Sequence, residues 1–182
     1  MGWEFELLET LQNIHNPWLD QAMIAITSLA DHGILWLILG LLFLIFSKTR
    51  HLGLSLLLSV FLGYVTGNGI LKNLIARKRP CWIKSEISLL IPIPRDYSFP
   101  SGHTLVSFEG AFSIWKYNQK WGIAALIAAS LIGCSRLYLF VHFPTDVLAG
   151  IALAMVNVWA GDKIAVWIET NFQRVMKGYN KK

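Results

Sequence analysis

The chain has 182 residues, of which 54% are hydrophobic and only 15% are charged. A single domain is expected at this length, and a mean hydropathy of +0.49 argues against a soluble protein. The net charge of +5 does not indicate nucleic-acid binding, because many of the sixteen lysines and arginines flank apolar segments instead of forming a basic tail or surface helix.

The N-terminal third of the chain predicts one surface helix and two further apolar helices. Residues 3–14 carry apolar side chains at helical spacing together with three glutamates, which favours an amphipathic helix within residues 1–16 that lies in the membrane interface. Residues 18–30 form an apolar stretch that is short against the ~20 residues of a membrane span. Residues 34–47 form a strongly apolar run after a turn at residues 31–33.

The rest of the chain predicts four more helices and one long loop. Residues 52–76 are apolar at first and polar near their end, and residues 77–100 form a loop with four of the six prolines. Helices are then predicted over three ranges: 101–115, 121–141 and 147–168. The predicted fold is all-α, a polytopic membrane bundle with about six transmembrane helices (five is the alternative), and it forms one domain over residues 1–182.

The alternation of spans predicts which segments share a membrane face. The end of residues 52–76, the start of residues 101–115 and the turn after residues 121–141 meet on one face. The opposite face receives two basic turns and the basic tail, residues 177–182. By the positive-inside rule that opposite face is cytoplasmic, together with the C-terminus, so the 77–100 loop faces outward over the site.

A first cluster of chemistry is Lys72 with Arg79, followed by Pro80. Seven residues are two helical turns, which predicts both cations on nearly the same side of a helix that Pro80 ends. The pair suits a clamp on phosphate, since Arg79 offers forked donors; snorkelling cations at a membrane boundary are the alternative. Arg77 and Lys78 are predicted to point elsewhere, to solvent or headgroups.

A second cluster opens the next helix at Pro100-Ser101-Gly102-His103. Ser101 is predicted as the N-cap, and the free N–H groups of a helix start form an anion site. Gly102 lets the backbone approach a phosphate closely. A plain helix cap is the alternative, but His103 lies where it can protonate a leaving oxygen.

A third cluster combines Arg136, at the end of an apolar run, with His142 and Asp146. An arginine within a span is costly and usually lines a site. His142 and Asp146 are four residues apart around a helix start, so they can be hydrogen-bonded neighbours. A carboxylate that fixes one ring nitrogen leaves the other free to attack; a structural His–Asp pair is the alternative.

These three motifs, in this order and spacing over residues 72–146, resemble the signature motifs of the type-2 phosphatidic acid phosphatase superfamily. The resemblance implies that His142 is the nucleophile that forms a phosphohistidine, with Asp146 orienting it. His103 is then the acid for the leaving group and the base for water. The phosphoryl-binding residues implied by the resemblance are Lys72, Arg79, Ser101, Gly102 and Arg136.

The resemblance also implies a substrate class and no metal or cofactor. The chain has no clustered Cys/His arrangement with zinc spacing. Family members of this size resemble undecaprenyl diphosphate, phosphatidylglycerophosphate and phosphatidate phosphatases, so the expected substrate is a lipid phosphate or diphosphate in the bilayer, with undecaprenyl diphosphate placed first. A lipid phosphotransferase with the same site, or a non-catalytic membrane transporter or scaffold, is the alternative function. The sequence does not identify a protein partner.

Overall fold

A computed structural model describes residues 2–179, which contain helices and no strands. The helices in chain order are α1 (Gly2–Gln12), α2 (Pro17–Ser28), α3 (Ile34–Ile45), α4 (Arg50–Gly63), α5 (Lys72–Ile75), α6 (Pro80–Ile83), α7 (Gly102–Tyr117), α8 (Gln119–Tyr138) and α9 (Pro144–Tyr179). A π-helical stretch, Tyr64–Leu71, joins α4 to α5. Half of the predicted basic tail, residues 180–182, lies outside the described residues.

Within residues 2–179, four helical segments are long and apolar enough to cross a membrane. They are Pro17–Ile45, Arg50–Ile83, Gln119–Tyr138 and Pro144–Lys177. The prediction of an all-α membrane bundle is confirmed. The last helix begins before and ends well after the predicted span of residues 147–168.

The bundle core holds α7 against its two following helices. Leu105, Phe108 and Ala111 of α7 are buried against Ala129 of α8 and Ala154 of α9. Because small side chains line the α8 and α9 faces, the three helices pack closely. This packing brings the start of α7, the end of α8 and the start of α9 to the same end of the molecule.

The N-terminal helix α1 packs at that same end. Leu8 is fully buried among Tyr138, Phe140 and neighbouring residues, and Glu4 is buried as well. Trp3 and other apolar residues on the remaining faces are exposed. The buried face of α1 contacts the segment between α8 and α9, and the location of this helix in the membrane interface stays a prediction.

The two basic turns lie together at the opposite end. The Tyr117 hydroxyl, at the end of α7, donates a hydrogen bond of 2.8 Å to the Lys48 carbonyl oxygen, before α4. His51 bridges α4 to α9 through Asp162 and Glu169, at 3.2 and 3.0 Å. Both basic turns therefore lie at one end of the bundle, as the alternation of spans predicts.

The helix of the first motif ends earlier than the sequence predicts. α5 ends at Ile75, Ala76 adopts a left-handed conformation with φ of 47°, and Arg79 is extended. Pro80 begins α6 instead of ending the preceding helix, which suits the fixed φ of proline at a first helical position. The prediction that Lys72 and Arg79 share one helix face is therefore wrong. The predicted loop over residues 77–100 contains this short helix.

Candidate active site

A cavity of about 1000 Å³ opens at the end of the bundle where the motifs meet. Six of the eight predicted site residues line it: Lys72, Arg79, Gly102, His103, Arg136 and His142. Val60 of α4 and Asn68 of the π-helical stretch line the same cavity, so the cavity follows the chain from the end of α4 to Lys72. The remaining lining includes apolar side chains such as Ile24, Leu105 and Val106. The cavity therefore has a charged end and an apolar body.

The two cations of the first motif meet at Asp96. The Lys72 ammonium forms an ion pair with Asp96 Oδ2, and Arg79 Nη2 lies 2.7 Å from Asp96 Oδ1. Arg79 Nε also donates to the Asp96 carbonyl oxygen at 2.7 Å. The 77–100 loop, and not a shared helix face, therefore brings the cations together.

The charge state of Asp96 follows from these contacts. Partial burial alone would raise the pKa of Asp96, but the hydrogen bond and charge of Lys72, with the charge of Arg79, hold that pKa well below its usual range. Asp96 is thus anionic and lies between the two cations that the motif offers to a phosphate. The sequence showed Asp96 only as one of several charges in the loop.

His142 lies in the turn between α8 and α9 with 1% of its surface exposed. Its Nε2 is 3.0 Å from Arg79 Nη1, which also donates to the Val141 carbonyl oxygen at 2.7 Å. Its Nδ1 faces the opposite way, 3.4 Å from Ser98 Oγ and 3.6 Å from Asp146 Oδ2. Nε2 is therefore the ring nitrogen next to the cation cluster, which is formed by Lys72, Arg79 and Arg136.

The protonation of His142 is set by the same surroundings. Burial lowers the pKa of His142 well below its ordinary value of 6.5, and the positive charges of Arg79, Arg136 and Lys72 lower it further. The ring is therefore neutral near pH 7. A neutral Nε2 carries the lone pair that a nucleophile needs.

Asp146 is fully buried, and its carboxylate is fixed from several sides. Oδ2 accepts from Ser98 Oγ at 2.5 Å and from the Phe143 N–H at 2.8 Å. Oδ1 accepts from Arg77 Nη1 at 2.6 Å. The spacing of four residues placed Asp146 near His142 as predicted, whereas no sequence motif marks Ser98.

Arg77 does not point to solvent or headgroups, and that prediction was wrong. Its Nη1 also donates to Thr145 Oγ1 at 2.6 Å, its Nη2 lies 2.8 Å from Glu4 Oε2, and its guanidinium carbon lies 4.1 Å from the Phe143 ring centre. The left-handed turn at Ala76 redirects the chain after α5. Arg77 thereby reaches the start of α9, a result that helical spacing cannot predict.

The second motif forms the predicted helix start. Ser101 is buried, and its Oγ accepts from the Thr104 N–H at 3.4 Å as the N-cap of α7. A Cβ added at Gly102 would lie 3.2 Å from Asn68 Oδ1 and 3.9 Å from Lys72 Nζ. Glycine at this position therefore leaves room beside the Lys72 ammonium.

His103 and Arg136 are held by residues that lie outside the three motifs. His103 Nε2 is 2.9 Å from Asp31 Oδ1, in the turn before α3. Arg136 Nη1 donates to Thr27 Oγ1 at 2.6 Å, while its buried Nε has no hydrogen-bond partner among the described residues. A buried donor without a partner costs about 1–3 kcal/mol. The Nε–H of Arg136 is therefore expected to donate to a bound anion. The sequence marked residues 31–33 only as a turn.

Comparisons of the sequence point to one family. Residues 48–169 match the family described as the PAP2 superfamily. The chain is 34% identical over 151 residues to an undecaprenyl-diphosphatase of Sulfolobus acidocaldarius, and the aligned residues cover 82% of this chain and 72% of that protein. It is 33% identical over 156 residues to phosphatidylglycerophosphatase B of Bacillus subtilis, covering 78% and 73% of the two chains.

The fold is also similar to a solved structure. The first transmembrane PAP2-type phosphatidylglycerolphosphate phosphatase from Bacillus subtilis superimposes with a TM-score of 0.74 at 29% identity. The match covers 92% of this chain and 86% of that one. Sequence and fold therefore agree on the family, and the cavity described above lies within the matched residues and the helices packed against them.

Proposed function

The chain belongs to the PAP2 superfamily of membrane lipid phosphatases, and from this premise we propose that it hydrolyses a lipid phosphate or diphosphate through a phosphohistidine formed on His142. The observation that carries the proposal is the orientation of the His142 ring. Nε2 lies beside Arg79, within the cation cluster, and Nδ1 faces Ser98 and Asp146. This is the arrangement of an oriented, neutral nucleophile beside an anion site.

The reaction proceeds in two steps, and no metal takes part. The His142 Nε2 lone pair attacks phosphorus, and the bond from phosphorus to the leaving oxygen breaks; this is the ester oxygen of a lipid monophosphate or the bridging oxygen of a lipid diphosphate. His103 gives that oxygen a proton. A water then gives a proton to His103 and attacks the phosphohistidine, which releases phosphate and restores His142. Lys72, Arg79 and Arg136, with the Gly102 backbone and the Ser101-capped helix start, stabilise the charge on the transferring group.

We expect an amphiphilic substrate because the cavity has a charged end and an apolar body. The cation cluster suits the phosphate, and the apolar lining around Ile24 and Val106 suits the start of a lipid chain. The named relatives act on undecaprenyl diphosphate or on phosphatidylglycerophosphate. We place undecaprenyl diphosphate first, with phosphatidylglycerophosphate or phosphatidate next.

A substrate panel tests this proposal. Purified protein in detergent is assayed for phosphate release from these three lipids and from a soluble phosphate ester, beside His142→Ala. A matched control is His51→Gln, because His51 lies at the opposite end of the bundle, paired with Asp162 and Glu169. We expect turnover of at least one lipid, its loss in His142→Ala and its retention in His51→Gln. Turnover of the soluble ester alone would refute the lipid substrate.

The proposal includes the orientation and the number of the spans. The end that holds Lys48, Arg50, Lys116 and Lys120 is cytoplasmic with the C-terminus, and the active site is extracytoplasmic. Six spans remain the predicted count. Fusions at the C-terminus test the orientation: a green fluorescent protein fusion should fluoresce, whereas an alkaline phosphatase fusion should be inactive. The reverse pattern would overturn it.

A further inference from the structure

A buried chain of charges connects the N-terminal helix to Asp146. Arg77 lies between two carboxylates, with Nη1 2.6 Å from Asp146 Oδ1 and Nη2 2.8 Å from Glu4 Oε2. The Asp146 side chain is fully buried and that of Glu4 is 5% exposed. Glu4 lies outside the three motifs, and Arg77 lies between Lys72 and Arg79 without being one of the predicted site residues.

The position of Asp146 depends on Arg77. Oδ2 has two donors, Ser98 Oγ and the Phe143 N–H, whereas Oδ1 accepts only from Arg77 among the described residues. A carboxylate is fixed in orientation when donors hold both of its oxygens, whereas donors to one oxygen alone leave it free to rotate. Arg77 therefore determines whether Oδ2 stays directed at the Nδ1 side of His142.

Glu4 in turn fixes Arg77. Glu4 Oε1 also accepts from Thr145 Oγ1 at 2.6 Å, next to Asp146 in the chain. The helix that carries Glu4 is anchored beside the site, since Phe5 makes an edge-on contact with Phe143 at 5.2 Å between ring centres. α1 therefore presents Glu4 as part of a rigid contact and not as a mobile tail.

Stability alone is a poor explanation for this network. Burying charges costs several kcal/mol for each ion, and apolar residues of similar volume often stabilise a protein as well or better. A buried ion network that contacts a proposed active-site carboxylate is better explained by the geometry that it imposes. The forked guanidinium of Arg77 suits that purpose, because it holds two carboxylates at once.

We propose that Arg77 is a positioning residue that orients Asp146 toward His142, and that Glu4 holds Arg77, so that the N-terminal helix completes the active site. The inference rests on the proposed function, in which His142 is the nucleophile. It adds a requirement outside the three motifs: the residues before α2 are needed for turnover and not only for membrane attachment.

Kinetics of matched variants test the proposal. We expect Arg77→Gln to lower kcat by about tenfold to a hundredfold, by analogy with the loss of residues that orient metal-binding side chains. KM should change less than about twofold because the cation clamp is intact. Arg77→Lys should recover part of kcat, since it keeps the charge without the fork. Glu4→Gln should lower kcat several-fold, and adding it to Arg77→Gln should cause no further loss.

The control for Glu4→Gln is Glu9→Gln, which also removes one negative charge from α1. Glu9 pairs with Lys84 at the surface, where both side chains are more than a third exposed. Glu9→Gln should keep the wild-type kcat and KM. Competitive inhibition by inorganic phosphate should be unchanged in every variant, which shows that the clamp and the fold are retained.

A second measurement does not depend on turnover. The groups that face His142 are Arg79, Arg136, Lys72, His103 and Asp146. Loss of the Arg77 charge leaves Asp146 unneutralised, so the pKa of His142 should rise in Arg77→Gln and not in Glu9→Gln. NMR of labelled imidazole, with His142 assigned from His142→Gln, gives the titration midpoint. If the wild type hydrolyses no lipid, the proposed function fails, and this titration still tests whether Arg77 neutralises Asp146 beside His142.

Three results would overturn the inference. The first is that Arg77→Gln keeps the wild-type kcat and the wild-type titration midpoint of His142. The second is that Arg77→Gln raises KM and leaves kcat unchanged. The third is that the losses of kcat in Glu4→Gln and Arg77→Gln multiply in the double variant. If Arg77→Gln does not fold, Glu4→Gln and Arg77→Lys decide the question. Wild-type kcat in both would refute the positioning, and a lower kcat at constant KM in both supports it.

Discussion

Asp96 is expected to compete with the substrate for the cation clamp. Its carboxylate contacts both Lys72 and Arg79, so a phosphate that binds these cations must displace it. Asp96→Asn removes the negative charge with little change in shape. The loop stays in place in this variant, because Arg79 Nε bonds to the backbone oxygen of residue 96 and not to its side chain.

The size of the effect follows from exposure. The Asp96 side chain is 55% exposed, so each ion pair contributes about 0.5–1 kcal/mol. Two pairs give about 1–2 kcal/mol, which corresponds to about fivefold to thirtyfold in affinity. Asp96→Asn should therefore lower both KM and the inhibition constant of inorganic phosphate by about tenfold, with kcat not increased.

The assay is steady-state hydrolysis in mixed micelles with phosphate as a competitive inhibitor. Glu86→Gln is the matched control, since it removes the same charge from an exposed position in the same loop; it should leave both constants unchanged. An increased KM in Asp96→Asn would refute the reasoning, because it would show that Asp96 arranges the cations for the substrate instead of competing with it.

Two further predictions concern the glycine of the second motif and the pH dependence of stability. Gly102→Ala places a Cβ 3.2 Å from Asn68 Oδ1 and should raise KM about tenfold, for an overpacking cost of about 1–1.5 kcal/mol. The control is Gly69→Ala, whose Cβ would meet nothing closer than 3.7 Å and which should leave KM unchanged. Equal KM values in the two variants would contradict this prediction. The pKa of His142 is lowered in the folded protein, so the unfolded chain takes up this proton at a higher pH than the folded one, and the free energy of unfolding should fall as the pH is lowered below 6.5. Thermal unfolding in detergent should show a larger loss for the wild type than for His142→Gln, and equal losses would contradict the assignment. The pKa of Asp96 is lowered too, but its stabilising contribution is lost only below its ordinary value of 3.8.

The sequence predicted the parts of the site that depend on local chain geometry. Ser101 caps α7 as its place before a helix start indicates, and the spacing of His142 and Asp146 brings their side chains within 3.6 Å. Six of the eight predicted residues line one cavity. The apolar runs likewise predicted the helices of the bundle, because the membrane imposes one long hydrophobic pattern on each span.

The sequence did not predict the contacts made by turns and loops. The left-handed conformation of Ala76 ends α5 early and sends Arg77 to Asp146, although alanine rarely adopts that conformation. Asp31 and Asp96 reach the site only through tertiary packing, which no local pattern encodes. The helical spacing of the first motif paired Lys72 with Arg79, and these side chains do meet, but at Asp96 and not on a shared helix face.

The central claim is that a phosphoryl group is transferred to His142, and trapping this intermediate tests it most directly. His103→Asn should slow the attack of water on the intermediate, while a soluble ester with a good leaving group, such as p-nitrophenyl phosphate, still phosphorylates the enzyme without needing an acid. Quenched under alkaline conditions and mapped by mass spectrometry, this variant should carry phosphate on His142, and the His103→Asn/His142→Ala double variant should carry none. Continued hydrolysis with no phosphate on His142, or with phosphate on another residue, would contradict the account.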